Sequence, residues 1–156
     1  MKIKFAHVGP IKKTFLREGF REYIKRVGRY ADVEAIEVRP APSSKKISRT
    51  ETVKKEALRL ATAIKKADYK VVLAEGGGGM SSLAFARFLR ERMDTGVKEL
   101  AFIIGGPFGL HSSVTESADA LISLSPMTMT RDLAALLLAE QVYRAFTIIK
   151  GEPYSH

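Results

Sequence analysis

The sequence predicts an α/β fold with a largely parallel sheet. Short apolar runs alternate with helix-spaced apolar patterns five times along the chain, which is the signature of repeated strand–helix units. The run LAFII at 100–104 is apolar at every position, as a central strand covered on both faces requires. With 156 residues, the chain is expected to fold as one domain over 1–156.

Each element has its own local reason. KIKFAHV (2–8) alternates as a strand does, with Ile3, Phe5 and His7 on one face. Phe15, Leu16, Phe20, Tyr23, Ile24 and Val27 then recur at helical spacing. VEAIEV (33–38) is a second short strand, and RPAPSSKKIS (39–48) reads as a surface loop rich in proline, serine and basic residues. Ser48 or Thr50 is placed to cap a helix whose apolar positions are Val53, Ala57, Leu60, Ala61 and Ile64. KVVLA (70–74) is a third strand, closed by EGGGGM. Ser81 or Ser82 caps the next helix, with Leu83, Phe85, Ala86, Phe88 and Leu89 facing inward. After LAFII come a short helix over 112–118, a fifth strand ALISL (120–124) and a final helix over 131–148, the most apolar in the chain. That last helix suits either a monomer core or a dimer interface.

Composition narrows the function classes. There is no cysteine, which excludes disulfides and thiolate metal sites, so no metal is expected. No apolar run reaches the roughly 18 residues of a membrane span, and the N-terminus lacks the apolar core of a signal peptide, so the expected location is cytoplasmic. The formal net charge of +9 is unevenly placed. Residues 1–75 hold nineteen Lys/Arg against nine Asp/Glu, whereas 76–156 hold seven against eight. A basic surface confined to one half of the chain favours a phosphate backbone as partner through counterion release. Solvated helix faces kept soluble by charge are the plainer alternative.

In parallel sheets, ligands bind beyond the carboxyl ends of the strands. Three loops lie there: EGGGGM, GGPFGLHSS and SPMTMTRD. Gly76 to Gly79 are not followed by Lys-Ser/Thr, so they form no P-loop, and their spacing fits a dinucleotide fingerprint poorly. A flexible strand-to-helix connection is the better reading of that run. The turn Gly105-Gly106-Pro107-Phe108-Gly109 also lacks a phosphate-binding lysine. It offers bare backbone at a buried strand end, and leaves a ligand shelf and a structural corner equally open.

Taken together, several segments resemble one family. IIGGPFGL, SLSPMTMT and LAEQVYRAFTIIKGEPY are similar to motifs of the RlmH (YbeA-like) large-subunit rRNA pseudouridine methyltransferases. The opening KIKFAHVG strand, Gly19, Phe20, Glu22 and Tyr23, the VVL strand, and Ser81, Ser82, Phe85 and Ala86 also occupy that family's places, so the resemblance spans nearly the whole chain. It implies a SPOUT-type α/β knot, with a C-terminal deep trefoil knot, and a homodimer that completes each active site. It implies S-adenosylmethionine as cofactor and methyl transfer to N3 of a pseudouridine in large-subunit rRNA on the assembled ribosome. The implied cofactor contacts are Leu73, Gly105, Leu124, Ser125, Pro126, Met127, Thr128 and Met129.

Methyl transfer to a ring N–H needs a base, or a field that stabilises the anion. The candidates are Glu140, Arg144, Tyr154 and His156. The resemblance assigns Arg144 to an RNA phosphate or the cofactor carboxylate, and Glu140 to holding it. Tyr154 carries over as a residue of the target-base or general-base network. The family ends in Tyr-His and a basic residue, whereas this chain ends Pro153-Tyr154-Ser155-His156, so His156 reaches the same place only through a flexible tail. The family also has Pro-His before the last helix and an Arg four residues later; here Thr130-Arg131 and Ala135 stand there. Two alternatives follow: a catalytically lapsed RNA-binding relative, and a Rossmann-type dinucleotide enzyme.

Overall fold

The computed structural model describes every residue except Ser43, Lys45, Ser155 and His156. Among the described residues, five strands and five helices alternate: β1 (Lys2–Val8), α1 (Thr14–Val27), β2 (Asp32–Val38), α2 (Arg49–Ala63), β3 (Tyr69–Gly79), α3 (Ser82–Asp94), β4 (Glu99–Ile104), α4 (Ser112–Glu116), β5 (Ala120–Ser123) and α5 (Arg131–Lys150). The strands form one sheet in the order β2-β1-β4-β3-β5, and every pairing is parallel. The expected α/β architecture is therefore observed.

The pleat sorts side chains between two cores. Ile3, Phe5, Val71, Leu100, Phe102 and Ile104 face α1, α3 and α5, while Ala6, Val8, Val72, Ala101 and Ile103 face α2 and α4. The bulkier set lies under the three-helix layer, where Phe5 stacks on Phe102 at 5.6 Å and meets Phe20 edge-on at 6.0 Å. β1 is covered on both faces, so its alternation does not separate inside from outside. Even Lys4 is buried, and its ammonium pairs with Glu99 at 2.6 Å. His7 shares the Phe5 face, as expected, with its ring edge-on to Phe20.

Several expectations shift at the helices. Phe15 is 69% exposed, because the buried stripe of α1 runs through Leu16, Phe20 and Val27. In α2 the buried positions are Thr52, Glu56, Ala57 and Leu60, followed by Ile64, whereas Ala61 is exposed. Ser48 is the cap, in a capping box with Glu51. Ser81 caps α3 through Ala84 N–H, and Leu83 in its first turn is exposed.

The largest difference concerns the glycine run. It is not a flexible connection: β3 extends through Gly79, and Gly78 and Gly79 pair with Ile122 and Ser123 of β5 after an irregularity that begins at Leu73. A Cβ on Gly77 would lie 2.6 Å from the Ile122 carbonyl carbon and 2.7 Å from its nitrogen. The glycine is there so that two backbones can touch.

Candidate functional site

The middle of β3 and the segments leaving the carboxyl ends of β4 and β5 enclose a cavity of about 500 Å³. Leu73 lines it from β3, Gly105 from the turn after β4, and Leu124, Ser125, Met127, Thr128 and Met129 from the segment between β5 and α5. Pro126 belongs to the same segment, is exposed, and stands outside the lining. Residues outside the implied cofactor contacts complete the wall, among them Gly106, Leu110, Thr115, Ile122 and Ala134. Their signal was present only in part, as the strand ends and the GGP-x-GL motif.

Local hydrogen bonds shape this wall. Ser123 Oγ donates to the Ser125 carbonyl at 2.9 Å, and Ser125 Oγ accepts the Met127 N–H at 2.9 Å. The segment then enters α5 through Thr130, whose hydroxyl accepts the Leu133 N–H. Across the cavity, Gly109 N–H donates to Gly106 O at 3.0 Å, and Gly109 takes the left-handed conformation (φ 80°) that closes the turn. At Gly105 the space a Cβ would need is taken by Leu110 Cγ at 2.9 Å and the Gly109 carbonyl at 3.1 Å. Its missing side chain is thus required by the turn itself, rather than by an approaching ligand. The lining is mainly apolar groups and backbone, suited to a ligand read through main-chain amides and carbonyls.

Arg131 reaches the cavity but its guanidinium is committed elsewhere. It donates to the carbonyls of Val8 and Pro10 (the latter at 2.6 Å) and pairs with Asp132. Asp132 also accepts the Lys12 N–H at 2.9 Å. Burial works against its charge, yet these hydrogen bonds from Arg131 and Lys12 together hold its carboxyl below the usual range. Burial lowers the pKa of His7, partly opposed by its hydrogen bond to Gly9 O at 2.8 Å, and the nearby Arg131 lowers it further. Ala135, at the position where the resembled family has Arg, is fully buried.

The other candidates gather elsewhere, between α5, α1 and the C-terminal segment. Arg144 donates twice to Glu140 Oε1, at 3.0 and 2.6 Å, and Glu140 raises its pKa through that hydrogen bond. Tyr154 Oη lies 3.3 Å from the same carboxylate oxygen and 3.1 Å from Tyr23 Oη. Gln141 donates to Glu140 Oε2 at 2.7 Å and accepts from Ser82 Oγ at 2.8 Å. The Arg144 guanidinium sits 4.8 Å from the Tyr154 ring centroid, and Tyr143 meets that ring edge-on at 4.6 Å. Burial, then hydrogen bonding to Tyr23 and the Glu140 charge, push the Tyr154 phenol well above its ordinary value, so it keeps its proton at neutral pH. Tyr23, Gln141 and Ser82 sat in motifs noticed in the sequence, but their joining was not foreseeable from spacing.

Within the chain the two groups do not meet: neither Glu140, Arg144 nor Tyr154 lines the cavity. A smaller cavity of about 290 Å³ lies between them, bounded by Met80, Ser82 and Gln141 on one side and by Ile122 and Leu124, shared with the large cavity, on the other. His156 lies outside the described residues. Among the described residues, no cluster of His, Cys, Asp or Glu could hold a metal, and no helix is long and apolar enough to cross a membrane.

The chain is similar to known proteins along its whole length. "Ribosomal RNA large subunit methyltransferase H" of Streptococcus uberis is 41% identical over 157 residues, covering 99% of each chain. The protein of the same name from Carboxydothermus hydrogenoformans is also 41% identical, with the same coverage. Among solved structures, a probable methyltransferase from Bordetella pertussis Tohama I superposes with a TM-score of 0.57 at 16% identity, over 92% of this chain and 95% of that one, a likeness of fold alone. The family described as "Predicted SPOUT methyltransferase" matches residues 1–156, and the chain belongs to that family.

Proposed function

We propose that the protein is an S-adenosylmethionine-dependent methyltransferase that methylates N3 of a pseudouridine in large-subunit rRNA, acting on the assembled ribosome as a homodimer of single-domain chains. The observation that carries this reading is the cavity at the carboxyl ends of β4 and β5, beside the middle of β3, lined by all but Pro126 of the cofactor residues that the family's motifs point to. Full-length identity of about 40% to relatives named as large-subunit rRNA methyltransferases favours an active enzyme over a lapsed RNA-binding relative. The β3 glycines, committed to strand pairing, argue against a dinucleotide enzyme.

Leu73, Gly105 and the segment Leu124, Ser125, Pro126, Met127, Thr128, Met129 would hold the cofactor, mainly through backbone groups and apolar contact. When bound, it would supply an electrophilic methyl group on a sulfonium. The chain must then orient N3 in line with that methyl and accept the N3 proton, so that an N–C bond forms as the S–C bond breaks. Glu140 holds Arg144 in place and accepts a hydrogen bond from the Tyr154 hydroxyl, which keeps its proton. That leaves Arg144 to counter the charge of the deprotonated imide or of a phosphate, and Tyr154 to hydrogen-bond the target base. His156 would add a titratable group at the tail.

Two features support assembly as a homodimer. The charged network and the cavity are separate in one protomer, so a partner's C-terminal segment is the natural way to bring them together. In addition, Met80, Leu83, Met127 and Leu133 are exposed on the segments around β5 and the first turns of α3 and α5. The trefoil knot is supported by the path of residues 124–130, which leave the sheet edge at β5 and enter α5 where Arg131 bonds the end of β1.

The test uses ribosomes from a deletion strain, the purified protein and methyl-labelled cofactor, with the rRNA mapped by mass spectrometry. Label is expected on N3 of a pseudouridine in large-subunit rRNA. Folded, dimeric protein that leaves that rRNA unlabelled would refute the assignment.

A further inference from the structure

We propose that Phe108 and Arg49 form a platform on which an unpaired RNA base stacks at the rim of the cofactor cavity, an inference that rests on the rRNA reading above. Phe108 is 42% exposed at the tip of the turn after β4, and both its neighbours, Pro107 and Gly109, line the cavity. The Arg49 guanidinium lies over its ring, 5.3 Å from the centroid. Among the described residues, Arg49 takes part in no ion pair, so its N–H groups are left for a ligand.

The pair is held in position from behind. Arg49 is the first residue of α2, and the Ser48–Glu51 capping box defines where that helix begins. Two turns further on, Glu56 is 4% exposed and accepts the Ala41 N–H at 3.1 Å through Oε1. Its Oε2 stands 3.2 Å from where a Gly106 Cβ would be, and has no hydrogen-bond partner among the described residues. One helix therefore backs the turn at Gly106 and covers Phe108, and also anchors the 39–48 loop through Ala41.

The chemistry of this place suits a nucleobase. An aromatic ring with a planar guanidinium over it offers stacking and cation–π attraction to any base. Arg39, Lys46, Lys54 and Lys55 are exposed on the same loop and helix, ready for the phosphates on either side. An enzyme that reaches N3 must act on a base freed from pairing, and the nucleotides beside it lose their stacking partners. Phe108 offers a replacement for one of them, on the rim of the cavity where the methyl group would be delivered.

The sequence contains no tryptophan, so Phe108→Trp installs a single fluorescent reporter at the platform. A short single-stranded RNA of mixed sequence is expected to quench its emission, and inorganic polyphosphate is not. Equal quenching by both, or by neither, overturns the proposal without any need for turnover. With ribosomes as substrate, Phe108→Leu is expected to raise KM roughly tenfold, with kcat and cofactor affinity unchanged, and Phe108→Trp to restore KM. Leu equal to Phe, or cofactor affinity falling in step with KM, would reduce Phe108 to a wall of the cavity. Wild-type protein that transfers no label to large-subunit rRNA would sink the methyltransferase reading instead, and the fluorescence result would still decide the platform.

Discussion

The cavity proposed for the cofactor and the Glu140 network are built in opposite ways. The cavity is made by main chain brought close: glycines at 105, 106 and 109, two serine turns and apolar side chains, with Gly77 holding β3 against β5 beside it. The network is made by side chains reaching across elements, with a carboxylate, a guanidinium and two phenols joined on α5, α1 and the C-terminal segment. The first is harmed by adding atoms and the second by removing them. Cofactor binding and turnover should therefore respond to different substitutions.

Gly77→Ala should have the largest effect. Its Cβ would meet backbone at 2.6 Å, which no rotamer can relieve, and the loss of stability should be roughly 3 kcal/mol or more by denaturant unfolding. A variant as stable as wild type would mean that β3 and β5 part there without cost. Gly105→Val should abolish heat of cofactor binding in isothermal titration by unseating the turn against Leu110 and Gly109, with the global fold kept by circular dichroism. Retained binding would show that the turn is dispensable to the cavity.

Glu140→Ala should cost about 2 kcal/mol, because Arg144 and the Tyr154 phenol lose their shared acceptor, and turnover should fall on the order of 10²-fold. Cofactor affinity should stay the same, and if it falls in parallel the division between the two regions is wrong. His7 supplies a smaller, pH-dependent effect. Its folded-state pKa is below the unfolded value near 6.5, so between the two the unfolded chain binds more protons. Its contribution is complete above about pH 6.5 and is lost as pH falls through that value toward the folded pKa. Melting temperatures from pH 7.5 down to pH 5 should drop more steeply for wild type than for His7→Gln, and parallel curves would remove His7 from the account. Phe15→Ser should be the least consequential, within about 0.5 kcal/mol, since the ring is 69% exposed; a larger loss would indicate a covering surface in the assembly.

Much of the fold was legible because periodicity is a local property. LAFII and KIKFAHV marked the central strands within a residue of their observed ends, and Ser81 was among the foreseen caps. The cavity was legible in two of the three expected segments, GGPFGLHSS and SPMTMTRD, since parallel sheets leave the carboxyl ends of strands open; EGGGGM is mostly strand, and of it only Glu75 lines the cavity. Helix faces were less so. Phe15, Ala61 and Leu83 fit a helical stripe by spacing but point away from the core, because which arc of a helix is covered depends on its neighbours.

By itself, then, the sequence determined the strand–helix alternation, the parallel sheet, the basic first half and the family resemblance, each carried by spacing or by a motif along the chain. The tertiary structure decided what depends on distant segments meeting. It made Gly77 a point of backbone contact with Ile122, joined Tyr23 to Tyr154 across 131 positions, and set Glu56 behind Gly106. Close approach between segments leaves no periodic trace in a sequence, because it is fixed only when the two surfaces pack.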